Sequence, residues 1–244
     1  MNVLILSAGP NDAASDDGYP LCLTEFDSIP LIQLIINSCS VLKPASITIA
    51  FNKEQVRKYR LDSIVSLLWP GSQCVRIEGP TQGAACTALL AVKRIDNEDE
   101  LLVLNANELL DVDFLKVVEE FRDRKYDAGV IIFSSVHPRY SFVRLDKQKL
   151  VVEAAEKNPI SKHATAGFYW FAKGTAFVSA AKQHIRKDAR VNGLFYICPT
   201  LNELILERRR IGVYEIDGSA YQPLKTERQT LRARESEARA RSPR

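Results

Sequence analysis

Four short stretches hold residue types that bind metals, phosphates or bases. In "LVLNANELLD", Leu102 to Asp111, an apolar run ends in Asn105, Asn107 and Glu108. Polar groups at the carboxyl end of a strand in an open α/β sheet are where ligands and metals usually sit. The oxygens of Asn107 and Glu108 are hard donors of the kind Mg²⁺ takes. An amide stands where a charged ligand would bind more strongly, so the cluster reads as a weakened metal site. Asp111 and Asp113 precede a helical pattern, where an acid satisfies free amides and complements the helix dipole. Both are expected to cap it. In "EAAEKNPIS", Glu156 and Lys157 are adjacent at a strand end. Neighbours on a strand face opposite ways, so one can meet a sugar hydroxyl while the ammonium meets a phosphate. The plain alternative is a solvated surface pair.

The other two stretches offer backbone rather than side chains. Ser7, Ala8 and Gly9 of "SAGPND" are small enough for close approach, and amides there can bind a base or a phosphate. The spacing is not that of a P-loop, and an ordinary surface loop is the alternative. In "GPTQGAACTALLA", Gly79, Pro80 and Gly83 precede a helix lined with small residues. A base or phosphate can lie against that amino terminus, or Gly83 can be only the turn into a tightly packed helix.

Alternating elements must position these groups. "NVLILS" is a continuous apolar run, the mark of a strand buried on both faces. "PLIQLIINSCSVL" has helical spacing with Pro30 suited to the first turn. "SITIAF", "KEQVRKYRLDSIVSLL", "QCVRIE", "GAACTALLAVKRI", "LLVLN" and "DFLKVVEEFRDRK" continue as strand, helix, strand, helix, strand and helix. Such alternation predicts an α/β fold, a parallel sheet with helices on both faces. "DAGVIIFSSV", "YSFVRLD" and "LVVEAAEK" follow with short connections, adding antiparallel strands and making the sheet mixed, though mostly parallel. "ATAGFYWFA" and "IGVYEI" are further strands, with helices over "GTAFVSAAKQHIR" and "PTLNELILERRR".

Bulk properties narrow the class. With 244 residues and 46% hydrophobic content the chain can bury a full core. Net charge is +3, and "LKTERQTLRARESEARARSPR" at the end holds seven basic and three acidic side chains, +4. The remainder is therefore about −1 (3 − 4), no electrostatic footprint for nucleic acid. Five scattered cysteines without a C-x-x-C pair read as free thiols in a reducing compartment. The apolar start is too short to span a bilayer, and a cytoplasmic location is expected. One domain over 1–226 and a basic C-terminal tail over 227–244 follow, with no internal repeat.

Taken in order, these stretches resemble the nucleotidyltransferases that make nucleoside-diphosphate sugars, over nearly the whole chain before the tail. The family's "L-A-G-G-x-G-T-R" and "P-K-P-L" are matched by "LILSAG" and "YPLCLTEFDSIPLIQLI". Its base-reading loop looks like "GPTQGAACTALLA", its "L-N-G-D" metal strand end like "LNANELLD", and its "E-K-P" like "EKNPIS". The "A-G-x-Y-x-F" that follows looks like "ATAGFYWF", and "NGLFYICPTLNELI" is similar to the family's late helix-leading segment. The resemblance implies a Rossmann-like GT-A fold. It implies in-line attack of a sugar phosphate, or similar phosphate, on a nucleoside triphosphate with pyrophosphate release, in surface polysaccharide assembly. Nucleotide contacts then fall on Leu6, Ser7, Ala8, Gly9, Gly79, Gln82 and Gly83. Acceptor contacts fall on Asn105, Glu156, Lys157, Gly167 and Tyr169. Mg²⁺ falls on Asn107 and Glu108, held weakly and mainly through the triphosphate. No membrane span is expected, and a homo-oligomer is compatible with the resemblance.

Several positions depart from that pattern. "G-x-G-T-R" is replaced by a loop with Asp12, Asp16 and Asp17, the family lysine falls at Leu21, and the metal aspartate falls at Asn107. The late "D-x-G-T-P" looks like "YQPLKTERQTL", without its aspartate. Substitutes are Glu108 for the metal and Lys93 or Lys225 for charge. Removing one preorganised charge-stabilising group typically costs roughly a hundredfold to a thousandfold in rate. The alternative is a homologue that kept the pocket without turnover, in a regulatory or scaffolding role. A glycosyltransferase would need D-x-D at the strand end, where this chain has Asn-Ala-Asn.

Overall fold

The computed structural model describes residues 1–9 and 19–224. Asp12, Asp16, Asp17, Lys225 and the tail at 227–244 lie outside the described residues. In chain order come β1 (Asn2–Ser7), β2 (Glu25–Phe26), β3 (Ile29–Pro30), α1 (Leu31–Ser40), β4 (Ser46–Asn52), α2 (Lys53–Tyr59), α3 (Leu61–Leu68) and β5 (Gln73–Ile77). Next are α4 (Ala84–Leu89), α5 (Val92–Ile95), β6 (Leu101–Asn105), β7 (Glu108–Leu110), α6 (Phe114–Asp123), β8 (Ala128–Ser134), β9 (Ser141–Leu145) and β10 (Val151–Glu156). The last are β11 (His163–Phe171), α7 (Gly174–Arg186), α8 (Leu201–Leu206), β12 (Ile211–Glu215) and β13 (Tyr221–Pro223).

Nine strands form one mixed sheet. β6, β1, β4 and β5 are parallel neighbours, β11 runs against β6, β8 and β9, and β12 is parallel to β8. Among the nine described strands of this sheet, only β10 and β11 oppose the common direction. Alternate residues feed two cores, one on each face, because successive strand side chains point opposite ways. Val3, Ile5, Leu102, Leu104, Phe168 and Trp170 meet α1, α3 and α6 on one face. Leu4, Leu101, Val103 and Phe171 meet α4, α7 and α8 on the other.

Two expected helices are broken, each for a packing reason. Arg60 has φ 54°, which ends α2 and starts α3. At 100° per residue a straight helix would hold Val56 and Leu61 about 140° apart; the break lets both be buried. The helix over residues 83–95 likewise divides into α4 and α5, with Leu90 left exposed between them. The cap of α6 is Asp113, whose carboxylate accepts from the amides of Leu115 and Lys116 at 2.9 and 3.3 Å. Asp111 does not share that role. It stands two residues too early, and its own N–H donates to the Ala220 carbonyl. No helix among the described residues is long and apolar enough to cross a membrane.

Candidate functional site

Strand register decides which predicted residues meet. Leu6 is opposite Asn105, Ser7 opposite Phe51, and Asn52 opposite Ile77. The loops after β1, β4, β5 and β6 therefore open at one edge of the sheet. Ser7–Gly9, Gly79 and Asn105–Asn107 all lie there, where open α/β sheets take ligands. β11 crosses the same edge in reverse, placing Gly167 next to Asn105, and Ser141 pairs with both Glu156 and Thr165. Nearly all the candidate residues are thus gathered along this edge. Lys93 is not. Its helix α5 runs into Asn97, which accepts from the Asn2 side chain at 3.1 Å, at the amino-terminal edge of the sheet. Lys93 therefore cannot supply the missing charge.

On the nucleotide side, Ser7 is in hydrogen-bond contact with the Cys22 thiol, whose burial pushes its pKa up to about 12 and keeps it inert. Gly9 is exposed, and among the described residues nothing stands where its side chain would sit. Gly79 has φ 68°, a left-handed turn favouring glycine, and likewise has no described residue against it. Gly83 is different. Phe195 donates its N–H to the Gln82 carbonyl at 2.8 Å and accepts from the Ala85 amide at 3.0 Å. A methyl at Gly83 would run into the Phe195 backbone. The first turn of α4 is therefore capped by the chain itself, and of the two readings of Gly83 the tightly packed turn is the one seen. The exposed side chain of Gln82 remains on the cleft rim.

Asn107 and Glu108 do not form the expected metal pair. β6 ends at Asn105, and the chain bends before β7 begins at Glu108. Glu108 is 4% exposed, and its carboxylate accepts from the Tyr221 hydroxyl at 2.8 Å. Burial raises the pKa of Tyr221 well above its usual value, so this hydroxyl stays a donor. The other Glu108 oxygen lies against Gly167 and the Asn105 amide, where a methyl on Gly167 would overlap both side chains. A carboxylate fixed this way is turned into the protein, not offered to an ion. The Asn107 Oδ1 is buried and accepts no hydrogen bond among the described residues. β13 lies on β7 with Pro223 opposite Glu108, and Leu224 donates its N–H to the Asn107 carbonyl. The described start of the segment that resembles "D-x-G-T-P" therefore lies beside Asn107 and Glu108, with a proline opposite the glutamate. No group of three or more metal-ligating side chains occurs among the described residues. As placed here, Asn107 and Glu108 are not arranged to hold Mg²⁺ between them, and the described residues offer it no other cluster.

On the acceptor side, Glu156 is buried and accepts from the Ser141 hydroxyl. Lys157, at φ 54°, turns the other way into solvent. Its ammonium donates to the Tyr196 hydroxyl at 2.9 Å and lies 5.1 Å from that ring's centroid. Tyr169 is 3% exposed, inside the second core, with its hydroxyl 3.2 Å from that of Thr165. It supports the floor of the site and does not present its ring to a ligand. Tyr196, Phe195 and Tyr221 were not singled out from the sequence. All three lie in loops or a three-residue strand, where no hydrophobic period marks them; only the segments "NGLFYICPTLNELI", holding Phe195 and Tyr196, and "YQPLKTERQTL", starting at Tyr221, point their way.

Comparison with known proteins gives the same picture. The family model described as nucleotidyl transferase matches residues 16–201. No curated protein matches the chain. Among solved structures, the nucleoside-diphosphate-sugar pyrophosphorylase from Vibrio cholerae RC9 superposes with a TM-score of 0.83 at 19% identity, covering 96% of this chain and 100% of that one. A UDP-glucose pyrophosphorylase solved with UDP-glucose gives 0.77 at 15% identity, over 98% and 99% of the two chains. A protein described as a glucose-1-phosphate thymidylyltransferase from Bacillus anthracis, solved with sucrose, gives 0.75 at 20% identity, over 100% and 96%. At these identities the structures establish a shared fold.

Proposed function

We propose a specific reaction for this chain, which belongs to the nucleotidyl transferase family: transfer of a nucleotidyl group from a nucleoside triphosphate to a sugar phosphate, releasing pyrophosphate. One observation carries the proposal. Ser7–Gly9 and the Gly79 loop lie along the same sheet edge as Asn105, Gly167 and Lys157, so a nucleotide and a phosphate acceptor would lie side by side. An acceptor phosphate held by the Lys157 ammonium would attack the α-phosphorus in line, and holding the two groups in register is most of the catalysis such a reaction needs. Backbone amides of Ser7–Gly9 would face the nucleotide. Mg²⁺ enters with the triphosphate as part of the substrate. The nucleotide sugar formed suits a role in surface polysaccharide assembly, and the domain spans 1–226 with the basic tail appended.

A second reading rests on a specific observation: neither Asn107 nor Pro223 offers a carboxylate where β7 and β13 meet. A homologue that binds nucleotide and sugar phosphate without turnover fits that arrangement. Thermal-shift titration with each nucleoside triphosphate, with glucose 1-phosphate and with both tests occupancy, because stabilisation grows with ligand concentration over Kd. Stabilisation by neither ligand would remove both readings. Pyrophosphate release then separates the first from the second.

A further inference from the structure

We propose that Tyr196 is a positioning residue for acceptor phosphate: it holds the Lys157 ammonium in place and ties it to the nucleotide loop. The inference rests on the reading above that Lys157 meets the acceptor. Lys157 makes no ion pair among the described residues; its ammonium instead meets the hydroxyl and ring of Tyr196. The residue before Tyr196 is the one whose backbone bonds Gln82 and Ala85, at 2.8 and 3.0 Å. Ile197 and Cys198, immediately after, are buried. The hydroxyl is thus fixed by its flanking backbone to the nucleotide loop, while its oxygen accepts from the acceptor-side lysine. Lys157 is itself anchored, its N–H donating to the Tyr140 carbonyl at 2.9 Å.

The choice of a phenol has a chemical consequence. A carboxylate partner would neutralise the ammonium and compete with an incoming phosphate. A neutral hydroxyl accepts one N–H and leaves the full charge and two donors for the ligand. The lysine stem is flexible, and ordering it before the ligand arrives removes part of the cost of binding. The aromatic face adds a cation–π contact that outlasts loss of the hydroxyl. Tyr196→Phe should therefore weaken acceptor binding by about tenfold, in line with loss of one hydrogen bond to a charged group, and Tyr196→Ala should weaken it further. Neither should alter nucleotide affinity.

The test is a double-mutant cycle on the full chain, with Tyr196→Phe, Lys157→Ala and both together. Glucose 1-phosphate affinity is measured by calorimetry, with inorganic phosphate as the sugar-free control and UTP, dTTP, CTP, ATP and GTP as the nucleotide arm. The expected result is that Tyr196→Phe loses glucose 1-phosphate and inorganic phosphate affinity alike, and loses nothing further once Lys157 is alanine. The inference is overturned if Tyr196→Phe costs the same in both backgrounds, if it weakens nucleotide and acceptor equally, or if it has no effect while Lys157→Ala does. Wild-type protein that binds a nucleotide but not glucose 1-phosphate or inorganic phosphate also overturns it. Wild-type protein that binds none of the probes overturns the site reading itself. Unchanged melting of Tyr196→Phe excludes a folding defect.

Discussion

At Asn107 the chain buries an amide oxygen that accepts nothing among the described residues, one position before a buried carboxylate held by Tyr221. Aspartate there would place charge in a poorly solvated spot beside Glu108, at a cost of about 1–3 kcal/mol for an unpaired buried polar group, and more for a charge. Mg²⁺ would offset that cost. Asn107→Asp should melt below wild type without metal and recover on Mg²⁺ titration, while wild type responds little. An equal Mg²⁺ response in both proteins would show that the site already binds metal. On the other side of the cleft, Lys157→Ala should weaken sugar-phosphate binding and leave nucleotide binding nearly intact, as read by calorimetry with each ligand alone. Glu156 and Lys157 face apart as expected from the sequence, but not because both are strand residues: β10 ends at Glu156, and Lys157 turns outward at φ 54°. The inward turn of Glu108 was not legible in the sequence, because it depends on Tyr221, which lies 113 positions away.

Among elements, two glycines do steric work that periodicity could not reveal. Gly83 admits the Phe195 backbone, and Gly167 admits the Glu108 and Asn105 side chains at the point where β11 passes from β9 to β6. Gly83→Ala should cost stability by roughly 1–3 kcal/mol through overpacking, and more from its φ of 115°. It should also loosen the Phe195–Tyr196 segment from the nucleotide loop. Denaturant unfolding reads the first effect. The second appears as faster amide exchange at Phe195 and Ala85, whose hydrogen bonds the clash would break. A variant as stable and as protected as wild type would contradict the packing assignment. The strands of the nine-stranded sheet were readable from apolar runs and alternation. β7 and β13, three residues each, carry too little pattern to announce a pairing, yet they decide what reaches Asn107.

For the molecule as a whole, the sequence disclosed the architecture because local signals agreed with it: alternating strands and helices, with residues such as Leu101 and Leu102 feeding opposite cores. It did not disclose how α7 and α8 close on the cleft. His184 of α7 is 2% exposed, stacked edge-on against Phe195 at 5.8 Å, near the Lys187–Glu203 ion pair. Burial lowers its pKa below the usual 6.5, partly opposed by Glu203. The unfolded chain therefore takes a proton that the folded state refuses, so stability is full above about pH 6.5 and falls as pH drops toward the depressed value. Melting temperature should decline as pH falls below about 6.5, and His184→Leu should flatten that slope. A slope unchanged by the substitution would assign it elsewhere. The basic tail has almost nothing apolar to bury, and we propose that ending the chain near Thr230 shifts melting by no more than a few degrees. A large drop would show that it docks.

Pyrophosphate release is the most direct measure of the central claim. Wild-type protein with a nucleoside triphosphate, glucose 1-phosphate or another sugar 1-phosphate, and excess Mg²⁺ should release pyrophosphate only when both substrates are present, and Lys157→Ala should raise the acceptor KM. Stabilisation by both ligands with no release from the wild type, across all nucleotides and sugar phosphates tried, would contradict nucleotidyl transfer and leave a binding protein.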